Sequence, residues 1–223
     1  MKPIRNPARK PVIAIDGTFS SGKGTLAKKL ATHFCFGYLD TGKLYRAVGA
    51  RALASKIRTD NAGALAELTA HIKISELDDP GLKSGPVGAV ASKIAVHPEV
   101  RDALFALQTQ FAARPGKKFK GAVLDGRDIG TVICPDADVK LYVDARPSVR
   151  AERRYRELVS YGEQTSLEIV TADLMERDHR DQNRAEAPLK PAKNAHLLDT
   201  TNLSIDAAFE QAKTLVMALL KTS

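Results

Sequence analysis

Residues Gly17 to Thr25 read "GTFSSGKGT", two glycines bracketing four small or polar residues and leading into a lysine. Gly17, Thr18, Phe19, Ser20, Ser21, Gly22, Lys23, Gly24 and Thr25 together have the make-up of a phosphate-cradling loop. Backbone N–H groups converge on phosphate oxygens, Lys23 adds a point charge, and a helix beginning at the lysine adds its dipole. The three-residue pattern alone arises in roughly one chain in ten or twenty of this length. Context decides in its favour, because a buried-strand pattern precedes the loop and an amphipathic helix follows it. The hydroxyl that usually follows the lysine is displaced by one residue to Thr25.

A second group of reactive residues stands in "VLDGRDIGTV", Val123 to Val132. Asp125 closes a buried-strand pattern, the position from which a carboxylate orients magnesium in phosphate-loop enzymes. Arg127 and Asp128 follow at once, where open α/β sheets bind ligands. A turn with a surface ion pair is the plain alternative. Two arginine-rich helices come next. Arg150, Arg153 and Arg154 share one helix face by their i, i+3, i+4 spacing, and Arg177, Asp181 and Arg184 by i, i+4, i+7. Each is either a solvated charged face or part of a lid that closes charge onto polyphosphate.

These residues need a scaffold, and the hydrophobic pattern supplies one. "PVIAID", "KGAVLDG" and "DVKLYVDA" read as buried strands, with "FGYLD" and "AHLLDT" as shorter ones. From Lys23, Leu26, Leu30 and Phe34 fall on one helix face. Further helices are predicted around Leu44–Ile57, Asn61–Ile74, Val87–Val96, Glu99–Ala113, Pro147–Tyr161, Ser166–Arg184 and Ser204–Leu220. Asp78–Pro86 reads as a loop by its proline and glycine content. Strands alternating with helices predict a three-layer α/β fold around a parallel sheet.

Composition bounds the rest. The chain has 223 residues, 43% apolar and 27% charged, ordinary for a globular protein of one domain. Thirty-four Lys and Arg against 26 Asp and Glu give a net charge of +8, which favours anionic partners without choosing among them. The basic start "MKPIRNPARK" precedes only four apolar residues, too few for a signal peptide or a membrane span. Cys35 and Cys134 lack CxxC spacing and read as buried thiols, and the five histidines form no zinc-ligand spacing. A cytoplasmic location is expected. An RNA-binding module is disfavoured by 5% aromatic content and the absence of Trp, which leave no stacking platform.

Taken jointly, "IDGTFSSGKGT", "YLDTGKLYRAV", "ASKIAVHPEVRDAL", "LDGRDIGTVICPDADVKLYVDA", "RAERRYREL" and "ERDHRDQNRAEAPL" resemble the bacterial cytidylate (CMP) kinase family over nearly the whole chain. Adenylate kinases typically carry "DGFPR" where this chain has "DGRDIGT". The resemblance implies the P-loop NTPase fold as one domain over 1–223. It has a basic tail at 1–10, a helical acceptor-binding insertion at about 41–115 and a short lid with the arginine helices at about 147–184. It also implies transfer of phosphate from ATP to CMP or dCMP with Mg²⁺, in pyrimidine nucleotide metabolism, by a monomer that binds neither nucleic acid nor membrane.

By position, Gly17–Thr25 would hold ATP, with Lys23 bridging donor and transferred phosphate. Thr25 and Asp125 would hold Mg²⁺, directly or through water. Arg46 and Arg127 would bind the CMP phosphate, and Tyr45 would position the acceptor. Thr41, Ser92, Arg101 and Asp128 match residues around the cytosine edge. Arg177, Asp181 and Arg184 match the group at the ribose and phosphates, while Arg150, Arg153 and Arg154 would belong to the lid. Lys23, Arg127, Arg150, Arg153, Arg154 and Arg184 are the resulting catalytic candidates. One departure is the short "LKSGPV", with Lys83 where the family usually has arginine, in place of a longer β-rich insertion. Another small-molecule kinase of the same fold, for UMP/CMP or shikimate, is the rival reading.

Overall fold

A computed structural model describes residues 9–221. Most of the basic tail expected at 1–10 therefore lies outside the described residues. The described residues form two compact units, one made of residues 9–39, 108–145 and 189–221, the other of 40–107 and 146–188.

The first unit is built on a five-stranded sheet. Its strands are β1 (Val12–Gly17), β2 (Gly37–Asp40), β3 (Ala122–Gly126), β4 (Val139–Asp144) and β5 (His196–Asp199), in the order β2-β3-β1-β4-β5. Central β1 runs parallel to both β3 and β4, and β4 runs parallel to β5. All six residues of β1 are buried, which explains why its sequence is continuously apolar up to Asp16. Helices α1 (Lys23–Phe34) and α8 (Ile205–Lys221) supply Leu26, Leu30, Ala212 and Val216 to one face, against Ile13, Ile15, Val123, Leu141 and Val143. Each such buried Leu, Ile or Val side chain contributes about 1.5–3 kcal/mol. The pairing register aligns Asp16 with Gly126, Gly17 with Val143, and Asp144 with Asp199. The carboxyl ends of four strands thus meet along one edge, where an open α/β sheet places its ligands. This is the P-loop NTPase arrangement expected from the sequence.

The second unit is helical. It contains α2 (Thr41–Ala54), α3 (Ala62–Thr69), α4 (Gly85–Ile94) and most of α5 (Pro98–Ala113), followed by α6 (Pro147–Ser160) and α7 (Leu167–Asn183). Asp40 and Asn61 cap α2 and α3 by accepting the N–H groups of Lys43 and Ala64. Helices α2 and α4 approach closely because Gly49 has no side chain. A Cβ there would stand 3.3 Å from both the Ala91 nitrogen and the Val90 Cγ1.

Four expectations need correction. The segment Asp78–Pro86 is not an open loop. Asp79 accepts the Gly81 N–H and Pro80 opens a short 3-10 turn through Lys83, after which α4 begins at Gly85. Pro86 sits in the first helical turn, where no N–H is needed. The helix expected over Asn61–Ile74 stops at Thr69, and Ile74–Asp78 forms a 3-10 turn. Arg184 lies beyond α7 in extended conformation, so it does not continue the helix face of Arg177 and Asp181. Finally, Cys35 is exposed and Cys134 only partly buried, both as free thiols. Cys35 terminates α1 with a left-handed φ of 56°.

Candidate active site

The phosphate loop is held from three sides within the first unit. Gly17 has a φ of 153°, and a Cβ there would lie 2.0 Å from the Val143 carbonyl oxygen, so only glycine lets β1 pass β4. Ser20 (φ 60°) and Gly22 (φ 88°) are both left-handed. For Ser20 that backbone costs on the order of 1 kcal/mol or more, a cost met chiefly at ligand-binding turns. Left-handed residues at this spacing curl a loop so that its N–H groups face an anion. The loop is braced internally by Ser21 Oγ donating to the Thr18 carbonyl at 3.0 Å. It is braced externally by Thr18 Oγ1 donating to Asp144 Oδ1 and by Thr200 Oγ1 donating to the Ser21 carbonyl at 2.7 Å.

Lys23 stands at the first position of α1, only 9% exposed, with Nζ 3.4 Å from the Thr18 carbonyl. Thr25 is exposed in the same first turn. Asp125, at the end of β3, is 3% exposed and accepts the Tyr38 hydroxyl on Oδ1 at 2.8 Å. Its Oδ2 lies 3.6 Å from where a Cβ on Gly24 would stand, so the carboxylate lies beside the start of α1. A glycine between Lys23 and Thr25 leaves that approach open. A threonine hydroxyl and one carboxylate are hard oxygen donors, the set Mg²⁺ uses when substrate phosphates and water complete its shell. Among the described residues no cluster of three His, Cys, Asp or Glu side chains could hold a metal without such help.

Arg127 and Asp128 lead into a π-helical turn, Ile129–Ile133. Arg127 Nη1 donates to the Gly126 carbonyl at 3.2 Å, while Asp128 is 6% exposed. Gly17–Thr25, Asp125, Arg127 and Asp128 all belong to the first unit.

The remaining candidates belong to the second unit. Thr41 is buried at the start of α2. One turn on, Arg46 Nη1 donates to the Leu82 carbonyl at 2.6 Å, and its guanidinium lies over Gly88, 3.0 Å from where a Cβ would be. The residues of α4 and the turn before it thus form a seat for Arg46. Arg101 is 8% exposed and reaches the Tyr45 hydroxyl at 3.4 Å, which brings two acceptor candidates together. Ser92, buried on α4, accepts from Arg180 Nε at 3.3 Å.

The arginine helices are more integrated than solvated faces would be. Arg150 and Arg154 on α6 are 3% and 6% exposed, whereas Arg153 is half-buried. Arg150 pairs with Asp178 of α7 at 2.7 Å, and Arg154 pairs with Glu157 at 2.8 Å. Asp181 is buried on α7, Arg177 is half-buried, and Arg184 Nε donates to the Ala187 carbonyl at 2.7 Å. Two neighbours of these candidates escaped the sequence reading. Asp178 and Arg180 carry the contacts to Arg150 and Ser92, and only their i+1 and i+3 offsets from Arg177 hinted at them. Asp16, Asp144 and Thr200 were also missed. Each braces a loop contributed by a different strand end.

One buried charge is strongly perturbed. Asp16 is 3% exposed and accepts the Ile129 and Gly130 N–H groups, both at 2.7 Å. Burial pushes its carboxyl up to about 6, against the lowering effect of those two hydrogen bonds. Burial also raises the Cys134 thiol to about 11 and lowers the Lys140 ammonium.

This chain is similar to known proteins over nearly its whole length. The cytidylate kinase family pattern matches residues 13–218. A cytidylate kinase of Azorhizobium caulinodans is 52% identical over 205 residues, 92% of this chain and 97% of the relative. A cytidylate kinase of Rhizobium meliloti is 50% identical over 211 residues, 94% of this chain and 97% of the relative. Among solved structures, an uncharacterized protein from Eubacterium ventriosum shares the fold with a TM-score of 0.52 at 13% identity, covering 93% of this chain and 98% of that one. A phosphate loop at the end of β1, a carboxylate at the end of β3 and near-complete alignment to such relatives lead to one conclusion: this chain belongs to the cytidylate kinase family.

Proposed function

We propose that the protein transfers the γ-phosphoryl group of ATP to the phosphate of CMP, and of dCMP, in pyrimidine nucleotide metabolism. An acceptor phosphate oxygen forms the new bond to the γ-phosphorus. The bond from that phosphorus to the β–γ bridging oxygen breaks, and ADP leaves. The carrying observation is the curled loop with left-handed Ser20 and Gly22 leading into Lys23. No strong general base is required, because the acceptor is already anionic. Catalysis therefore rests on positioning and charge neutralisation.

In this reading Gly17–Thr25 hold the ATP phosphates and Lys23 spans the β-phosphate and the moving group. Thr25 and Asp125 would hold Mg²⁺, directly or through water, and the ion would supply charge neutralisation on the polyphosphate. Arg46 and Arg127 bind the acceptor phosphate. Tyr45, Thr41, Ser92, Arg101 and Asp128 position and read the nucleoside, while Arg177, Asp181 and Arg184 serve its ribose and phosphates. Arg150, Arg153 and Arg154 stabilise charge on the transferring group. A cytoplasmic monomer that binds no nucleic acid completes the reading. No helix among the described residues is long and apolar enough to cross a membrane.

The test is the acceptor profile of the purified protein, with ADP release from ATP followed for CMP, dCMP, UMP, AMP and shikimate. Turnover strongest with the cytidine acceptors supports the proposal. Turnover confined to UMP, AMP or shikimate, or none at all, overturns it.

A further inference from the structure

The Asp16 carboxylate uses its two oxygens separately. Oδ1 accepts the Ile129 N–H and Oδ2 accepts the Gly130 N–H, both at 2.7 Å. These are the first two amides of the π-helical turn that follows Arg127 and Asp128. Asp16 lies on β1 opposite Gly126, the residue before Arg127, so the acid and the turn approach each other from adjacent strand ends. Space at this contact is tight. A Cβ on Gly130 would stand 3.3 Å from Asp16 Oδ2 and 3.2 Å from Lys140 Cδ. Two charge-assisted hydrogen bonds in a dry site fix a backbone far more firmly than exposed ones would.

We propose that Asp16 is a positioning residue for the acceptor, setting the turn that presents Arg127 and Asp128. This rests on the assignment of those two residues to CMP. Asp16 itself touches neither nucleotide in this account. The charged or titratable groups that face it are Asp128 and Arg127 from the turn, Cys134 just beyond it and Lys140 from β4. Lys140 does not pair with Asp16 directly. Its ammonium is held by the Pro135 carbonyl and Asn194 Oδ1. The acid is therefore committed to the two amides. Asparagine cannot replace it, because its NH₂ would face one of the two N–H groups and only one acceptor oxygen would remain.

The experiment compares wild type with Asp16→Asn, measuring KM for CMP, kcat, and the dissociation constant of ATP without acceptor. Asp16→Asn should raise KM for CMP at least ~10-fold and change ATP affinity less than ~2-fold. Gly17 of the phosphate loop is the very next residue, so a merely structural defect would damage ATP binding at least as much. Equal losses for both nucleotides, loss for ATP alone, or no change overturns the proposal. Should Asp16→Asn fail to fold, Gly130→Ala presses on the same contact from the other side and must show the same selectivity. Arg127→Ala and Asp128→Ala serve as references. If they leave KM for CMP unchanged, the acceptor assignment itself fails. If they raise it and Asp16→Asn does not, only the positioning role fails.

Discussion

The Arg150 guanidinium meets the Asp178 carboxylate at 2.7 Å, with 4% of the arginine side chain and 10% of the aspartate side chain exposed. This pair ties α6 to α7, and Asp178 Oδ1 is buried without a hydrogen-bond partner. An incompletely hydrogen-bonded buried pair gains little over a well-packed apolar pair, yet losing one partner strands the other charge. Asp178→Ala should therefore destabilise by about 3–5 kcal/mol in chemical denaturation. Arg150→Met combined with Asp178→Leu should restore most of that stability. If the double variant recovers stability but not kcat, Arg150 has a role at the phosphates beyond holding the helices together. Recovery of both would make the pair structural.

Lys23 offers a sharper test of the donor half. Its ammonium is nearly buried and reaches the Thr18 carbonyl only at 3.4 Å, a long contact that a phosphate oxygen can replace. Lys23→Met keeps length and apolar bulk while removing the charge. A fall in kcat of at least ~10²-fold is expected, on the order of 3 kcal/mol of transition-state stabilisation. Near wild-type turnover in steady-state assays would remove the loop lysine from the mechanism.

Asp16 ties pH to stability with a definite sign. Its carboxyl lies at about 6 in the folded protein, against an ordinary value of 3.8. Between these values the folded chain holds a proton that the unfolded chain has released. Stability from this group is therefore full at low pH and is lost as pH rises through about 6. The gap corresponds to on the order of 3 kcal/mol. Asparagine does not titrate, so the stability of wild type relative to Asp16→Asn should fall by about that amount between pH 4 and 6.5. Denaturation without substrate is the right measurement, because a nucleotide phosphate also titrates near 6. A difference that stays flat across this range would show that ionising Asp16 costs nothing.

What the sequence revealed, and what it concealed, divides by distance along the chain. The phosphate loop was legible because Gly17–Thr25 is one contiguous turn between a buried strand and a helix, curled by its own left-handed Ser20 and Gly22. The strands were legible because parallel strands buried on both faces lose their alternation and become apolar runs. Asp16 was not legible as a brace, because its two amide partners lie 113 and 114 residues away. Thr200 reaches the Ser21 carbonyl across 179 residues for the same reason. On α7, periodicity correctly grouped Arg177 with Asp181 but gave no sign of what each face meets. It therefore passed over Asp178 and Arg180. Helix ends were the other weak point. Arg184 was carried one residue past the last turn, and a proline- and glycine-rich stretch hid the start of α4.

Base choice is where a cytidine-specific kinase must differ from its relatives, and Asp128 is the residue to test. Cytosine presents a 4-amino donor beside the N3 and O2 acceptors, whereas uracil presents a 4-carbonyl and an N3–H. A carboxylate accepts from the amino group but would face the uracil oxygen with both groups acceptors. Asp128 is 6% exposed, so water cannot readily relieve such a mismatch. A buried mismatched polar contact costs about 1–3 kcal/mol, which predicts a preference for CMP over UMP of roughly 10- to 200-fold in kcat/KM. Asp128→Ala should erase much of that ratio by harming CMP far more than UMP. The decisive measurement is kcat/KM for both acceptors in wild type and variant. A common factor of loss would mean that Asp128 serves the phosphates or the turn that Asp16 braces, and that the base is read by other residues, with Arg101 the next to substitute.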